Sequence, residues 1–135
     1  MLVNNPRTCL YRPLQMGIQQ YIFRDVTPQA VHEFISYLEY IIPESPQGVP
    51  VRVLMDVRSG GLPPANVMRK ALKAFFERHP NCPPLRVAVL YDTLPRRSRS
   101  ADIAALIPRR ANDEIYLVKT NVSVAINWLT SAQTT

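Results

Sequence analysis

Apolar positions along this chain change their spacing at regular intervals, and each change marks an element. Val31, Phe34, Ile35, Leu38, Ile41 and Ile42 recur at three- and four-residue steps, which places them on one face of an α-helix. Thr27 stands where an N-cap belongs, Pro28 suits the first helical position, and Pro43 ends the run. The same spacing predicts a second helix from about Pro64 to His79, with Val67, Ala71, Leu72, Phe75 and Phe76 inward and Pro80 beyond its end. A shorter third helix is expected between Ser98 and Ile107, where Ile103, Leu106 and Ile107 are in phase and Pro108 is the stop. A fourth is expected from Asn121 to Thr130, capped by Thr120.

Between these segments the pattern is that of strands. Val51 to Val57 (VRVLMDV) and Leu85 to Tyr91 (LRVAVLY) are short, rich in branched residues and not strictly alternating. Such runs suit inner strands buried on both faces. Glu114 to Lys119 predicts another strand, and Cys9 to Arg24 predicts two antiparallel strands joined near Met16 and Gly17, with Pro13 confining the first to a sheet edge. The order is therefore β-β-α-β-α-β-α-β-α. Strands separated by helices need long right-handed crossovers and so run parallel. The expectation is an α/β fold with a mixed, mostly parallel five-stranded sheet and about four helices, in which Val51–Val57 and Leu85–Tyr91 are adjacent and Trp128 packs on the sheet.

Composition narrows the class. At 135 residues, 47% of them apolar, the chain suits one domain, with its core between about residues 9 and 130. Its 13 prolines lie mainly between the periodic segments, as punctuation. No apolar run approaches the roughly 20 residues of a membrane span, and the first residues lack the pattern of a signal peptide, so a cytoplasmic location is expected. Two cysteines, Cys9 and Cys82, exclude a disulfide framework by count and read as small core or strand-end residues.

Three stretches carry a resemblance: Val53-Leu54-Met55-Asp56-Val57, Arg86-Val87-Ala88-Val89-Leu90, and Ala125-Ile126-Asn127-Trp128-Leu129. In this order, from about Cys9 to Leu129, the chain resembles the STAS-like domains. These are related to the SpoIIAA anti-sigma factor antagonist and are often grouped with lipid-binding modules. The resemblance implies a bacterial regulatory domain that acts through protein contacts. It does not bring the family's phosphorylation switch, because the helix after the central strand opens with Leu62-Pro63-Pro64-Ala65-Asn66, with no hydroxyl at the acceptor position, and Ser59 lies earlier.

The candidate chemistry is sparse. Asp56, Ser59 and Asp92 fall at or after the carboxyl ends of two inner strands, where open α/β sheets bind ligands. The competing reading is that they accept backbone N–H groups in tight turns. His32 and His79 sit in no catalytic motif, Ser59-Gly60-Gly61 is too short for a nucleotide loop, and Asp113-Glu114, the only adjacent carboxylates, read as a solvated turn. No metal or cofactor is expected. Charge is uneven: residues 1–50 carry three Arg against four acidic groups, and residues 51–135 carry thirteen basic against six acidic groups. Arg96, Arg97 and Arg99, with Arg109 and Arg110 nearby, could hold an anionic group at a helix start, or form only a solvated loop. Aromatic residues are not interleaved with them, which disfavours nucleic acid.

These readings favour a non-catalytic regulatory interaction module with a protein partner, followed by a carrier or sensor of a small anionic or lipid ligand at the strand-end rim. An enzyme is least favoured, and a homodimer stays open. An apolar cavity would favour the carrier. A closed core with an exposed apolar patch would favour the interaction module.

Overall fold

A computed structural model describes residues 8–46, 48–93, 105–108 and 110–131. Five strands form one mixed sheet in the order β1-β2-β3-β4-β5. They are β1 (Cys9–Pro13), β2 (Ile18–Phe23), β3 (Val51–Asp56), β4 (Leu85–Tyr91) and β5 (Glu114–Lys119), accompanied by α1 (Pro28–Ile41), α2 (Ala65–Arg78) and α3 (Val122–Thr130). β1 pairs antiparallel with β2, and every other neighbouring pair is parallel. β3 and β4 are adjacent, in register from Val51 opposite Leu85 to Asp56 opposite Leu90. The predicted sheet is present. Three α-helices stand among the described residues, and most of the helix expected between Ser98 and Ile107 lies outside them.

Because each step from β2 to β4 moves the same way across the sheet, right-handed crossovers put α1 and α2 on one face. There Val31, Phe34, Ile35 and Leu38 of α1 and Met68, Leu72 and Phe75 of α2 cover Tyr21, Phe23, Val53, Met55, Val87 and Val89. Each fully buried Val, Leu, Ile, Phe or Met is worth about 1.5–3 kcal/mol, so this layer is the main source of stability. Leu106 and Ile107 join the same face. The opposite face is smaller: Ile18, Leu54, Ala88, Leu90 and Val118 pack with Ala125 and Leu129 of α3. Trp128 lies half-buried against the sheet here, stacked on Tyr116 at 5.1 Å.

Three local expectations need correction. The α2 core includes Met68, fully buried, while Val67, Ala71 and Phe76 are only half-buried at its flanks. Asn121, not Thr120, caps α3, its side-chain oxygen accepting from Val124 N at 3.2 Å. Thr120 instead adopts φ 58°, a conformation costly for a β-branched residue, while its N–H donates to Tyr91 O at 2.7 Å. Thr27 holds the N-cap position of α1 but makes no side-chain capping bond.

Candidate functional site

The carboxyl ends of the parallel strands form the rim that the sequence singles out. Asp56 ends β3 and is buried, yet its carboxylate is fully engaged. Gln20 donates to it across the sheet at 3.2 Å, and Arg58 folds back with its backbone N–H at 3.1 Å, Nε at 3.0 Å and Nη2 at 2.8 Å. The bond to Asp56 raises the Arg58 pKa against the opposing effect of burial, and the charges of Asp56 and Asp92 add to it. Ser59 and Asp92 stand exposed beside this pair. Gly60 closes the turn against the chain leaving β2: its N–H donates to Phe23 O, and a Cβ there would lie 2.4 Å from the Arg24 carbonyl carbon. Asp56, Ser59 and Asp92 thus share one rim, while Arg96, Arg97 and Arg99 lie outside the described residues.

Two arginines that add to the positive balance of the sequence are structural. Arg86, buried in β4, pairs with Glu114 of β5, donates to Trp128 O at 2.7 and 3.2 Å and to Ser131 Oγ at 2.9 Å, and lies 4.0 Å above the Trp128 ring. It joins β4 and β5 to the carboxyl end of α3, where a cation also suits the helix dipole. Arg110 grips Asp113 with Nε and Nη2, each at 2.9 Å, donates to the carbonyls of Cys82 and Pro83, and covers the Phe76 ring. Asp113 also accepts from Leu85 N at 2.9 Å. The Asp113-Glu114 pair is therefore no solvated turn, since Asp113 is buried and fixes the starts of β4 and β5 together. A charged residue inside an apolar strand must find a partner, and that was the signal Arg86 offered.

The titratable groups with nucleophilic potential are quiet. Burial, with Glu33 nearby, pushes the Cys9 thiol up to about 12, and burial raises that of Cys82 despite Arg110 beside it. A thiol so shifted carries almost no thiolate at neutral pH. His79 meets Glu39 at 3.1 Å and stacks on Phe75, tying α2 to α1 together with Arg78, and His32 is exposed. Among the described residues no three His, Cys, Asp or Glu side chains gather as metal ligands, and no helix is long and apolar enough to cross a membrane.

The feature that the sequence did not reveal lies at the opposite end of the strands. A cleft of about 480 Å³ opens there, walled by Tyr11, Met16, Gln19, Tyr40, Val49 and Arg52 among others. Three of its side chains are large, apolar and exposed: Tyr40 at 75%, Met16 at 64% and Val49 at 49%. Met16 sits at φ 63°, ψ 27° in the turn between β1 and β2, and Arg52 Nη1 holds that turn through Met16 O at 2.7 Å. Tyr11 bonds to Gln19 Oε1 and lies 5.2 Å from Tyr37 and 5.4 Å from Tyr21. Its hydroxyl ionises above the ordinary tyrosine value, through burial first and the neighbouring Tyr40 second. Helical and strand periodicity identifies inward residues. It does not report that a turn, a helix end and a loop bring exposed apolar side chains together.

No protein-family model matches the chain, and neither a curated protein nor a solved structure matches it.

Proposed function

We propose that this chain is a non-catalytic regulatory interaction module of the STAS-like kind, and that it engages a protein partner through the Tyr11–Met16–Tyr40–Val49 cleft. The observation that carries this reading is the gathering of three exposed apolar side chains around one cleft while the core beneath is filled by Tyr21, Phe23, Phe34 and Phe75, all fully buried. Exposed apolar surface of this kind has a hydration cost that a partner relieves. The STAS-like part of the reading rests on the three sequence stretches that carry the resemblance, with the mixed, mostly parallel sheet beside them. The strand-end rim ranks second as a binding surface: Arg58, which feels the charges of Asp56 and Asp92, is already paired, so an anion there would depend on Arg96, Arg97 and Arg99.

The test is site-specific photo-cross-linking in the native host. A photoreactive residue at position 40 should trap a discrete protein adduct, a probe at exposed position 32 on the same helix should not, and Met16→Asp should remove the adduct. Equal labelling from both positions, or none from either, would count against the cleft as an interaction surface.

A further inference from the structure

The walls of the cleft also constrain what fills it. Resting on the interaction reading above, we propose that the occupant is a proline-rich segment of the partner, in extended polyproline II form, with a lysine or arginine next to the prolines. Four observations converge on that chemistry. Tyr11 and Tyr40 supply aromatic rings, and Met16 adds a polarizable, adaptable apolar side chain. Proline rings lie well on such surfaces, and a polyproline helix is already ordered before binding, so little conformational entropy is lost.

The polar groups suit a chain that has carbonyls but few N–H donors. The Gln19 side-chain oxygen already accepts from Tyr11, and the Ser45 hydroxyl donates to Ile41 O at 3.0 Å. The Arg52 guanidinium has five N–H donors, of which the bond to Met16 O uses one. Glu44 at the cleft wall is exposed and has no salt-bridge partner among the described residues, which supplies the complement for a basic residue.

Other occupants fit less well. A helix laid in the groove would keep its own carbonyls bonded along its axis and leave the remaining Arg52 donors unanswered. A second copy of this chain would set +6 against +6, a much larger like-charge repulsion than the single basic residue of a peptide meets beside Glu44.

The experiment titrates the full chain with three synthetic peptides by isothermal calorimetry: an oligoproline ending in arginine, the same oligoproline ending in glutamate, and a Gly-Ser peptide ending in arginine. The arginine-tailed oligoproline should bind saturably, the glutamate-tailed one more weakly, and the Gly-Ser peptide not at all. Tyr40→Ala should weaken the first by about tenfold or more, as truncation of a central interface aromatic does. Glu44→Gln should reduce the preference for arginine over glutamate. Both positions are exposed, and circular dichroism confirms that each variant is folded. Absence of saturable oligoproline binding, equal affinity in Tyr40→Ala, or preference for the glutamate tail would overturn the proposal. So would concentration-dependent dimerisation lost in Tyr40→Ala, because the cleft would then be filled by a second copy. A specific cross-link from position 40 combined with no oligoproline binding would sink this inference alone and leave the interaction reading standing.

Discussion

At the scale of single residues, backbone proximity sets the tightest constraint. Gly60 lies so close to the Arg24–Asp25 backbone that a Cβ would stand 2.4 to 2.7 Å from three of its atoms, and backbone cannot move aside as a flexible side chain would. Gly60→Ala should therefore lower stability by about 1–3 kcal/mol, the usual cost of overpacking, seen as a lower urea midpoint at unchanged slope. An unchanged midpoint would mean that the turn relaxes freely. Arg86 makes the second residue-scale case. Its side chain is buried while its partner Glu114 is 43% exposed, so Arg86→Ala strands no buried charge but strips the donors from Trp128 O and Ser131 Oγ, which costs about 1–3 kcal/mol when such groups are left unsatisfied. A loss near the upper part of that range is expected, and a loss below about 1 kcal/mol, as for a surface pair, would show Arg86 to be dispensable.

Among the elements, β1 is held at its start by a titratable group. It is an edge strand shortened by Pro13, and Glu33 of α1 fastens its start by accepting from Thr8 N at 2.9 Å, Thr8 Oγ at 3.2 Å and Cys9 N at 2.8 Å. Burial alone would raise the Glu33 pKa, but these bonds and one from Gln29 outweigh it and hold the carboxyl below its ordinary value. The unfolded group ionises near about 4.3, so the contribution is complete above that value and is lost as pH falls through the lower folded one. Wild type should exceed Glu33→Gln in stability at about pH 6 and lose that advantage progressively as pH falls below about 4.3. A gap of constant size would assign the difference to packing. Elements were the most legible level of this sequence. The start of β3 and both boundaries of β4 follow directly from apolar runs bounded by breakers, because a strand buried on both faces leaves little choice of residue. The cap of α3 was misplaced by one residue because Thr120 and Asn121 both carry capping groups, and only backbone geometry chooses between them. Asp113 was misjudged because its partner Arg110 looks, in sequence, like one more member of a basic stretch.

For the molecule as a whole, the sheet is the shared wall of two cores of unequal size. Trp128, the only tryptophan, sits on the smaller side, so its fluorescence reports that face while far-ultraviolet circular dichroism reports all the helices. One cooperative unit predicts coincident urea transitions by the two probes, and an earlier fluorescence transition would show α3 peeling off first. The positions of Asp56, Ser59 and Asp92 at or after the carboxyl ends of β3 and β4 were readable too, from the apolar runs that precede them. The cleft was not, since it depends on surface neighbours far apart in sequence.

The placement of these two surfaces also determines how far each affects the other. β3 contributes Val51 and Arg52 to the cleft and ends in Asp56 at the rim, and at about 3.3 Å per residue its six residues set the two ends roughly 17 Å apart. That is about twice the screening distance of roughly 8 Å in physiological salt. Exposed charges at one end are therefore felt only weakly at the other, and a substitution in the cleft and one at the rim should change stability additively.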